Sequence, residues 1–173
     1  MRRLGHLKFD IFKMIYLIYG QPASGKTTIG KLLADHLNTP FIIDGDEFRE
    51  MFSNKNYGKE GREENIRNAN AVATYLNKKF LTGDNDVVMS LVNPYDHLRE
   101  ELTKNNAGQV VTILLTSQRQ MRKEYQVSDF ENGTPNIELA TDQDPNSTFQ
   151  NLLIGLLAIS EKNKHLDGCG YDD

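Results

Sequence analysis

The stretch Gly20-Gln21-Pro22-Ala23-Ser24-Gly25-Lys26-Thr27-Thr28 fits the pattern G-x-x-x-x-G-K-[ST] in full. It follows the apolar run Ile15–Tyr19, which predicts a buried parallel strand. After it, apolar residues recur at the spacing of a helix: Ile29, Leu32, Leu33 and Leu37. Strand, glycine loop and helix together present backbone N–H groups, a helix N-terminus and a lysine to an anion. The stretch therefore predicts a site for the phosphates of a nucleoside triphosphate.

The loop positions have distinct predicted parts in binding this nucleotide. Lys26 supplies a positive charge to the phosphates, and the hydroxyl of Thr27 is available to Mg²⁺. We expect ATP to be held by these residues of the loop: Gly20, Ala23, Ser24, Gly25, Lys26, Thr27 and Thr28. ATP and Mg²⁺ are thus the predicted cofactors.

Length and composition limit the class of protein. A chain of 173 residues is enough for one domain with a substantial core, and its net charge of −4 disfavours a nucleic-acid partner. The single cysteine, Cys169, can build neither a disulfide framework nor a zinc site, which suits a reducing cytoplasm. No apolar run approaches the length of a membrane span, so we expect no membrane partner. Composition leaves open whether the chain forms a homodimer.

We divide the chain into three parts. Residues 1–13 are basic and are expected to form an N-terminal extension, 14–160 a single P-loop domain, and 161–173 a polar C-terminal tail. The basic start resembles part of a signal peptide, but the apolar run that follows is needed as the first strand. We therefore expect the protein to remain in the cytoplasm.

Two acids follow the second predicted strand, Phe41–Ile43, in the sequence Asp44-Gly45-Asp46. Carboxylates placed just past a strand lie at the carboxyl end of the sheet, where open α/β folds bind ligands. Asp46 could simply cap the next predicted helix, which runs from residue 47 to residue 52. Alternatively, the two acids serve Mg²⁺ or act as a base towards an acceptor hydroxyl. Arg49, one turn later, could hold an anionic substrate.

The remaining chain alternates between helices and strands. A polar loop over 53–61 precedes a helix whose buried stripe contains Ile66, Ala69, Ala73, Leu76 and Phe80. Further strands are predicted over residues 87–92, 110–115 and 137–139. We expect Asn93 to cap a helix with Pro94 at its first position, and Asn146 or Ser147 to cap the last helix. The fold class is therefore α/β, a three-layer P-loop NTPase type with about five parallel strands.

Several segments together resemble the adenylylsulfate (APS) kinase family, over about residues 15–115. The family pattern D-G-D-x-x-R appears as Asp44-Gly45-Asp46-Glu47-Phe48-Arg49. The pattern F-S-x-x-x-R-x-x-N-I-R-R is echoed by Tyr57 and Arg62-Glu63-Glu64-Asn65-Ile66-Arg67. A third pattern, S-x-I-S-P-[YFH], appears as Ser90-Leu91-Val92-Asn93-Pro94-Tyr95, with the later arginine of that helix at Arg99.

The resemblance implies ATP-dependent phosphorylation of the 3′-hydroxyl of adenylyl sulfate. The residues that it implies to be catalytic are Lys26, Asp44 and Asp46, with Thr27 and Asp44 serving Mg²⁺. The residues that it implies to bind the substrate are Asp46, Arg49, Tyr57, Arg62, Asn65 and Ser90. Tyr57 would replace a phenylalanine that stacks on the adenine, which keeps the aromatic face.

The chain also departs from the family pattern. Asn93 stands in place of a serine, and Asp96 in place of a basic residue. The long lid segment of the family is absent, and only residues 116–128 occupy its place. Arg119 and Arg122, with Lys123, would contact ATP if these residues form a reduced lid; otherwise they belong to a solvated helix face. A shortened lid would admit a larger acceptor.

Two other functions therefore stay open besides adenylyl sulfate phosphorylation. The first is a P-loop kinase whose acceptor is the hydroxyl of a nucleoside, a nucleotide or a nucleic acid. The second is a module that binds ATP and no longer catalyses. The presence of Lys26, Thr27, Asp44 and Asp46 together argues against the second.

Overall fold

The structure, a computed structural model, describes residues 13–79, 86–118 and 126–167, with side chains to residue 163. The strands are β1 (Ile15–Tyr19), β2 (Phe41–Asp44), β3 (Val87–Leu91), β4 (Val110–Thr116) and β5 (Ile137–Ala140). The helices are α1 (Lys26–Leu37), α2 (Gly45–Met51), α3 (Lys59–Lys79), α4 (Asp96–Asn105) and α5 (Pro145–Asp167). Some sequence predictions concern residues outside the described residues. They are the extension over residues 1–12, Phe80, the residues Arg119, Arg122 and Lys123, and Cys169.

All five strands belong to one parallel sheet in the order β2-β3-β1-β4-β5, which confirms the predicted fold class. Every residue of β1 and β3 is buried, as expected for central strands covered on both faces. Side chains alternate along β1: Ile15 and Leu17 pack in the cluster that contains Ala69 of α3, whereas Tyr16 and Ile18 pack in the cluster that contains Leu33 of α1. The sheet is thus the middle of three layers.

The topology brings the functional segments to one edge. Because the strands are parallel, the loop after β1, Asp44 at the end of β2 and the chain after β3 lie at the same carboxyl edge. The order reverses at β1, whose neighbours β3 and β4 come later in the chain. Such a switch point opens a crevice for a ligand.

Three predicted helix starts are wrong, each by a few residues. Asp44, rather than Asp46, caps α2, because its Oδ1 accepts a hydrogen bond of 3.0 Å from the N–H of Asp46. Helix α4 begins at Asp96 with Tyr95 as its N-cap, so Asn93 and Pro94 lie outside it. At α5, Asp144 Oδ2 accepts from the N–H of Ser147 at 3.0 Å, which gives Asp144 the capping role instead of Asn146 or Ser147.

Two other helix ends differ from the sequence analysis. Helix α3 begins at Lys59, inside the segment expected to be a loop, and Gly61 in its first turn is buried against Asn56. Helix α5 continues to Asp167, past the position where we expected the polar tail to begin. Within the described part of the chain, no helix combines the length and the apolar character that a membrane crossing requires.

Candidate active site

The loop between β1 and α1 has the backbone of a phosphate cradle. Ala23 and Gly25 have positive φ values of 58° and 86°, which turn successive amides towards one side. A Cβ at Gly20 would collide with the carbonyl oxygen of Leu115, so only glycine fits there. Gly25 is the N-cap of α1 and makes no side-chain capping bond, so the first amides of the helix remain available to an anion.

Lys26 is buried and hydrogen-bonded to its own loop. Its Nζ donates to the carbonyl oxygen of Gln21 at 2.6 Å and to Ser24 Oγ at 3.3 Å. Burial lowers the pKa of Lys26 to about 8, although the nearby charges of Asp46 and Asp44 oppose this shift. The ammonium group therefore lies within electrostatic reach of both acids, at the place where the loop would receive a phosphate.

Thr27 and Asp44 form the pair of oxygens that a magnesium ion would need. Thr27 Oγ1 donates to Asp44 Oδ2 at 2.7 Å, and both residues line the same cleft. Mg²⁺ prefers oxygen ligands and is bound in such sites by one or two protein groups with phosphates and waters. The pair fits this chemistry. No group of three or more His, Cys, Asp or Glu residues that could form an all-protein metal site occurs among the described residues.

One cleft of about 880 Å³ joins the phosphate cradle to the predicted acceptor residues. Lys26, Thr27 and Thr28 line one part of it, and Asp46 lines it from the first turn of α2, where its side chain is exposed. The predicted substrate residues also line it: Arg49, Tyr57, Arg62, Asn65 and Ser90. A donor and an acceptor therefore have room to lie in a single cavity, with Asp44 and Asp46 in its wall.

Arg49, Tyr57 and Arg62 form a cationic and aromatic wall of the cleft. The guanidinium of Arg49 lies 4.7 Å from the centre of the Tyr57 ring and donates to the carbonyl oxygen of Asn56 at 2.9 Å. Arg62 Nε donates to the carbonyl oxygen of Tyr57 at 2.7 Å. Burial lowers the pKa of Arg49, and the charge of Arg62 lowers it further, yet a guanidinium stays protonated at neutral pH. The wall is suited to an anion attached to a flat ring.

Ser90 and Asn65 are buried where the cleft meets the core. Ser90 Oγ donates to the carbonyl oxygen of Lys26 at 3.2 Å, so the hydroxyl also positions the start of α1. Asn65 Nδ2 donates to the carbonyl oxygen of Gly45 at 3.2 Å, and its Oδ1 has no hydrogen-bond partner. These two predicted substrate residues are therefore partly engaged in holding the site together.

Gln21 and Thr141 also shape the cradle, and sequence analysis missed both. Gln21 Nε2 donates to the carbonyl oxygen of Val127, and the N–H of Val127 donates to Gln21 Oε1, both at 3.0 Å. Thr141 Oγ1 donates to the carbonyl oxygen of Ser24 at 3.0 Å. No local signal reveals these bonds, because Gln21 occupies a variable position of the motif and its partner is more than a hundred residues away.

Arg99, the later arginine of the family pattern, is a structural residue in this chain. It is 3% exposed, and its guanidinium lies 4.3 Å from the centre of the Tyr19 ring. Its Nη1 donates to the carbonyl oxygen of Asn93 at 2.6 Å. Its Nη2 donates to the carbonyl oxygen of Glu131 at 2.6 Å and forms an ion pair with Asp96 Oδ1 at 3.0 Å. Arg99 therefore fixes the chain after β3 to the segment around Glu131.

Solved structures share this fold across kinases with different acceptors. An APS kinase of Mycobacterium tuberculosis, solved with AMPPNP and APS, is 18% identical and aligns with a TM-score of 0.69, covering 84% of this chain and 98% of its own. A gluconokinase from Sinorhizobium meliloti is 15% identical with a TM-score of 0.65, covering 91% and 98%. A shikimate kinase from Aquifex aeolicus is 17% identical with a TM-score of 0.59, covering 85% and 98%. At these identities the likeness shows the fold alone.

The family is decided by sequence. No curated protein matches the chain. A family model described as adenylylsulphate kinase matches residues 13–130, which include the phosphate cradle, both acids and the cationic wall. The chain therefore belongs to the adenylylsulphate kinase family and is a P-loop phosphotransferase.

Proposed function

We propose that this kinase transfers the γ-phosphoryl group of ATP to the 3′-hydroxyl of adenylyl sulfate. The observation that supports this most is the continuous cleft in which the phosphate cradle and the Arg49–Tyr57–Arg62 wall face one cavity. Adenylyl sulfate carries an adenine that can stack on Tyr57 and a phosphosulfate that Arg49 and Arg62 can bind. Its ribose would then lie near Asp44 and Asp46.

In the proposed mechanism, the residues of the loop bind and align the donor. The amides of residues 23–27 and the ammonium group of Lys26 hold the phosphate oxygens. Thr27 and Asp44 would hold Mg²⁺, which, when bound, neutralises charge on the β- and γ-phosphate oxygens. Lys26 exchanges its bonds to Gln21 and Ser24 for bonds to phosphate.

Asp46, with Asp44 behind it, orients the acceptor hydroxyl. The 3′-oxygen forms a bond to the γ-phosphorus while the bond from that phosphorus to the β–γ bridging oxygen breaks, and ADP leaves. The hydroxyl proton passes to a carboxylate and from there to solvent. Because the transition state is loose, positioning and charge stabilisation contribute more than proton removal.

A comparison of acceptors tests this function. ADP release is measured with ATP alone and with ATP plus adenylyl sulfate, gluconate, shikimate or adenosine, for the wild-type chain and for Lys26→Ala. We expect adenylyl sulfate to give the highest kcat/KM and Lys26→Ala to give no rate with any acceptor. A rate with adenylyl sulfate no higher than with ATP alone would refute the proposed acceptor.

A different hydroxyl acceptor is the second candidate, and one observation favours it. Asn93 and Asp96 replace family residues after β3, and Asp96 pairs with the buried Arg99. The solved gluconokinase and shikimate kinase are similar in fold, so the architecture itself does not select the acceptor. In the same assay, a higher kcat/KM with adenosine or a sugar acid would support this candidate.

We also propose a cytoplasmic location, on the basis of the single cysteine in the sequence. The proposed partners are ATP and one small nucleotide-like acceptor. A homodimer remains a proposal that a measurement of mass in solution decides.

A further inference from the structure

The side-chain amide of Asn93 makes no hydrogen bond within the described part of the protein. It lines the cleft, it is 1% exposed, and neither Nδ2 nor Oδ1 has a hydrogen-bond partner. Among the buried amide side chains of the described residues, it is the one in which both atoms are unpaired. Buried polar groups almost always have hydrogen-bond partners. An amide with two unpaired atoms in the wall of a cavity is therefore expected to bind a ligand there.

The backbone of Asn93 is held firmly, so the unpaired amide cannot be relieved by a small shift of the chain. Arg99 donates to the carbonyl oxygen of Asn93 at 2.6 Å. The N–H of Glu131 donates to the carbonyl oxygen of Pro94 at 2.9 Å, and the N–H of Gly20 donates to that of Val92 at 3.4 Å. These bonds hold the residues that follow β3 next to the phosphate cradle, where Asn93 lines the same cleft as Asp44.

The chemistry of an amide limits what it can bind with both atoms. Nδ2 donates and Oδ1 accepts. A phosphate or sulfate group offers only acceptors and would leave Oδ1 unpaired, whereas a hydroxyl both donates and accepts. In the proposed function the anion of the acceptor binds Arg49 and Arg62, which line the same cleft. The amide of Asn93 is therefore suited to the neutral, hydroxyl-bearing part of an acceptor that occupies this cleft.

We propose that Asn93 binds the vicinal hydroxyls of the acceptor's ribose and selects an acceptor that carries a 2′-hydroxyl. This inference rests on the proposed function, since it takes the acceptor to be adenylyl sulfate. Both amide atoms are buried, so the contact requires a change of side-chain rotamer. That change is favoured because the amide gains the two partners that it lacks.

Asn93 also has a purely structural explanation, which supplies the matched control. Its φ of 39° is in the left-handed region, where asparagine and glycine are the favoured residues. Asn93→Gly keeps this backbone and removes the amide. If only the backbone conformation matters, the variant keeps its choice of acceptor; if the amide binds the ribose, the variant loses it.

The test measures kcat/KM for adenylyl sulfate and for its 2′-deoxy counterpart, with the wild-type chain and with Asn93→Gly. We expect the wild type to prefer the ribose form by roughly tenfold, the order of one hydrogen bond to a neutral group. We expect Asn93→Gly to use both acceptors at the same reduced kcat/KM, with the KM for ATP unchanged. A wild type that does not discriminate, or an Asn93→Gly variant that discriminates equally well, would overturn the inference.

A second variant, with a smaller change of side chain, tests the amide in case Asn93→Gly does not fold. Asn93→Asp keeps the shape and the tolerance for a left-handed φ but replaces the donor, and its expected preference for the ribose form is weaker than that of the wild type. Thermal stabilisation by ATP shows that each variant is folded. Failure of the wild type to use adenylyl sulfate at all would refute the proposed function and this inference together. Use of adenylyl sulfate with equal discrimination by wild type and Asn93→Gly would refute the inference alone.

Discussion

Lys26 carries the positive charge of the cradle, and its surroundings make that charge sensitive to pH. Burial penalises the ammonium form, which is why the pKa is about 8 rather than its ordinary value. Between the folded-state pKa and that of the unfolded chain, the unfolded chain binds more protons, so stability from this group rises with pH in that window. Nucleotide binding depends on pH in the opposite direction, because the phosphate oxygens bind the ammonium form of Lys26, which is lost as pH rises.

We therefore predict that the affinity for ATP falls as pH rises above about 8. The Kd should increase by up to about tenfold for each pH unit once Lys26 loses its proton in the free chain. Fluorescence titration of a nucleotide analogue between pH 7 and pH 9.5 measures this. In Lys26→Arg the guanidinium stays protonated, so the Kd of that variant should be flat. A flat Kd in the wild type would contradict the assignment of Lys26.

Asp44 combines two tasks that a single substitution can separate. Its Oδ1 caps α2 and its Oδ2 accepts from Thr27. Asparagine caps helices about as well as aspartate but lacks the negative charge. We predict that Asp44→Asn leaves the Tm within about 2 °C of the wild type and lowers kcat by at least about a hundredfold. An unchanged kcat at unchanged Tm would show that the carboxylate is not part of the chemistry.

Helix α1 packs closely against β3, so that the first residue of the helix, Lys26, is in contact with Ser90. Gly30 permits this, because a Cβ there would collide with Ser90 Oγ. The close approach also lets Ser90 bond to the carbonyl oxygen of Lys26. The packing of one helix on one strand thus controls the position of Lys26.

The variant Gly30→Ala tests this packing, because helix propensity and close packing predict opposite changes in the free energy of unfolding. In a helix interior, alanine is favoured over glycine by about 1 kcal/mol, so propensity alone predicts a more stable protein. We predict instead a loss of about 1–3 kcal/mol in the free energy of unfolding, since either Ser90 Oγ must turn away and lose its bond to the carbonyl oxygen of Lys26, or α1 must move away from β3. Urea denaturation measures the change, with Lys31→Ala at an exposed position of the same helix as the control. A stabilised Gly30→Ala would show that the contact with Ser90 Oγ does not restrict this position.

Elements were predictable from sequence to the extent that their signals are local. Apolar runs located all five strands, and the P-loop pattern located α1. Helix starts were less predictable, because several neighbouring residues can cap equally well and only the backbone decides between them. At α5, Asp144, Asn146 and Ser147 are all good capping residues, and the one before Pro145 caps. For the same reason the sequence predicts Asn93 as an N-cap, whereas α4 begins at Asp96 with Tyr95 as its N-cap.

At the scale of the whole molecule, the cleft depends on contacts that sequence does not reveal. The resemblance brought Asp44, Arg49, Arg62 and Asn65 into one predicted site, and all four line the cleft. The order of the strands, the bond from Gln21 to Val127 and the burial of Arg99 join distant segments and have no local signal. The lid predicted from Arg119 and Arg122 lies outside the described residues and stays a prediction.

The proposed function requires that the β1–α1 loop holds ATP while the neighbouring acids present a ribose hydroxyl of adenylyl sulfate to its γ-phosphate. The most direct measurement follows a radiolabelled γ-phosphate from ATP into product, whose position of phosphorylation is then determined by NMR. We predict labelled adenylyl sulfate phosphorylated at the 3′-oxygen with the wild type and no labelled product with Lys26→Ala. Label that stays in ATP and inorganic phosphate, or transfer by Lys26→Ala at the wild-type rate, would contradict the claim.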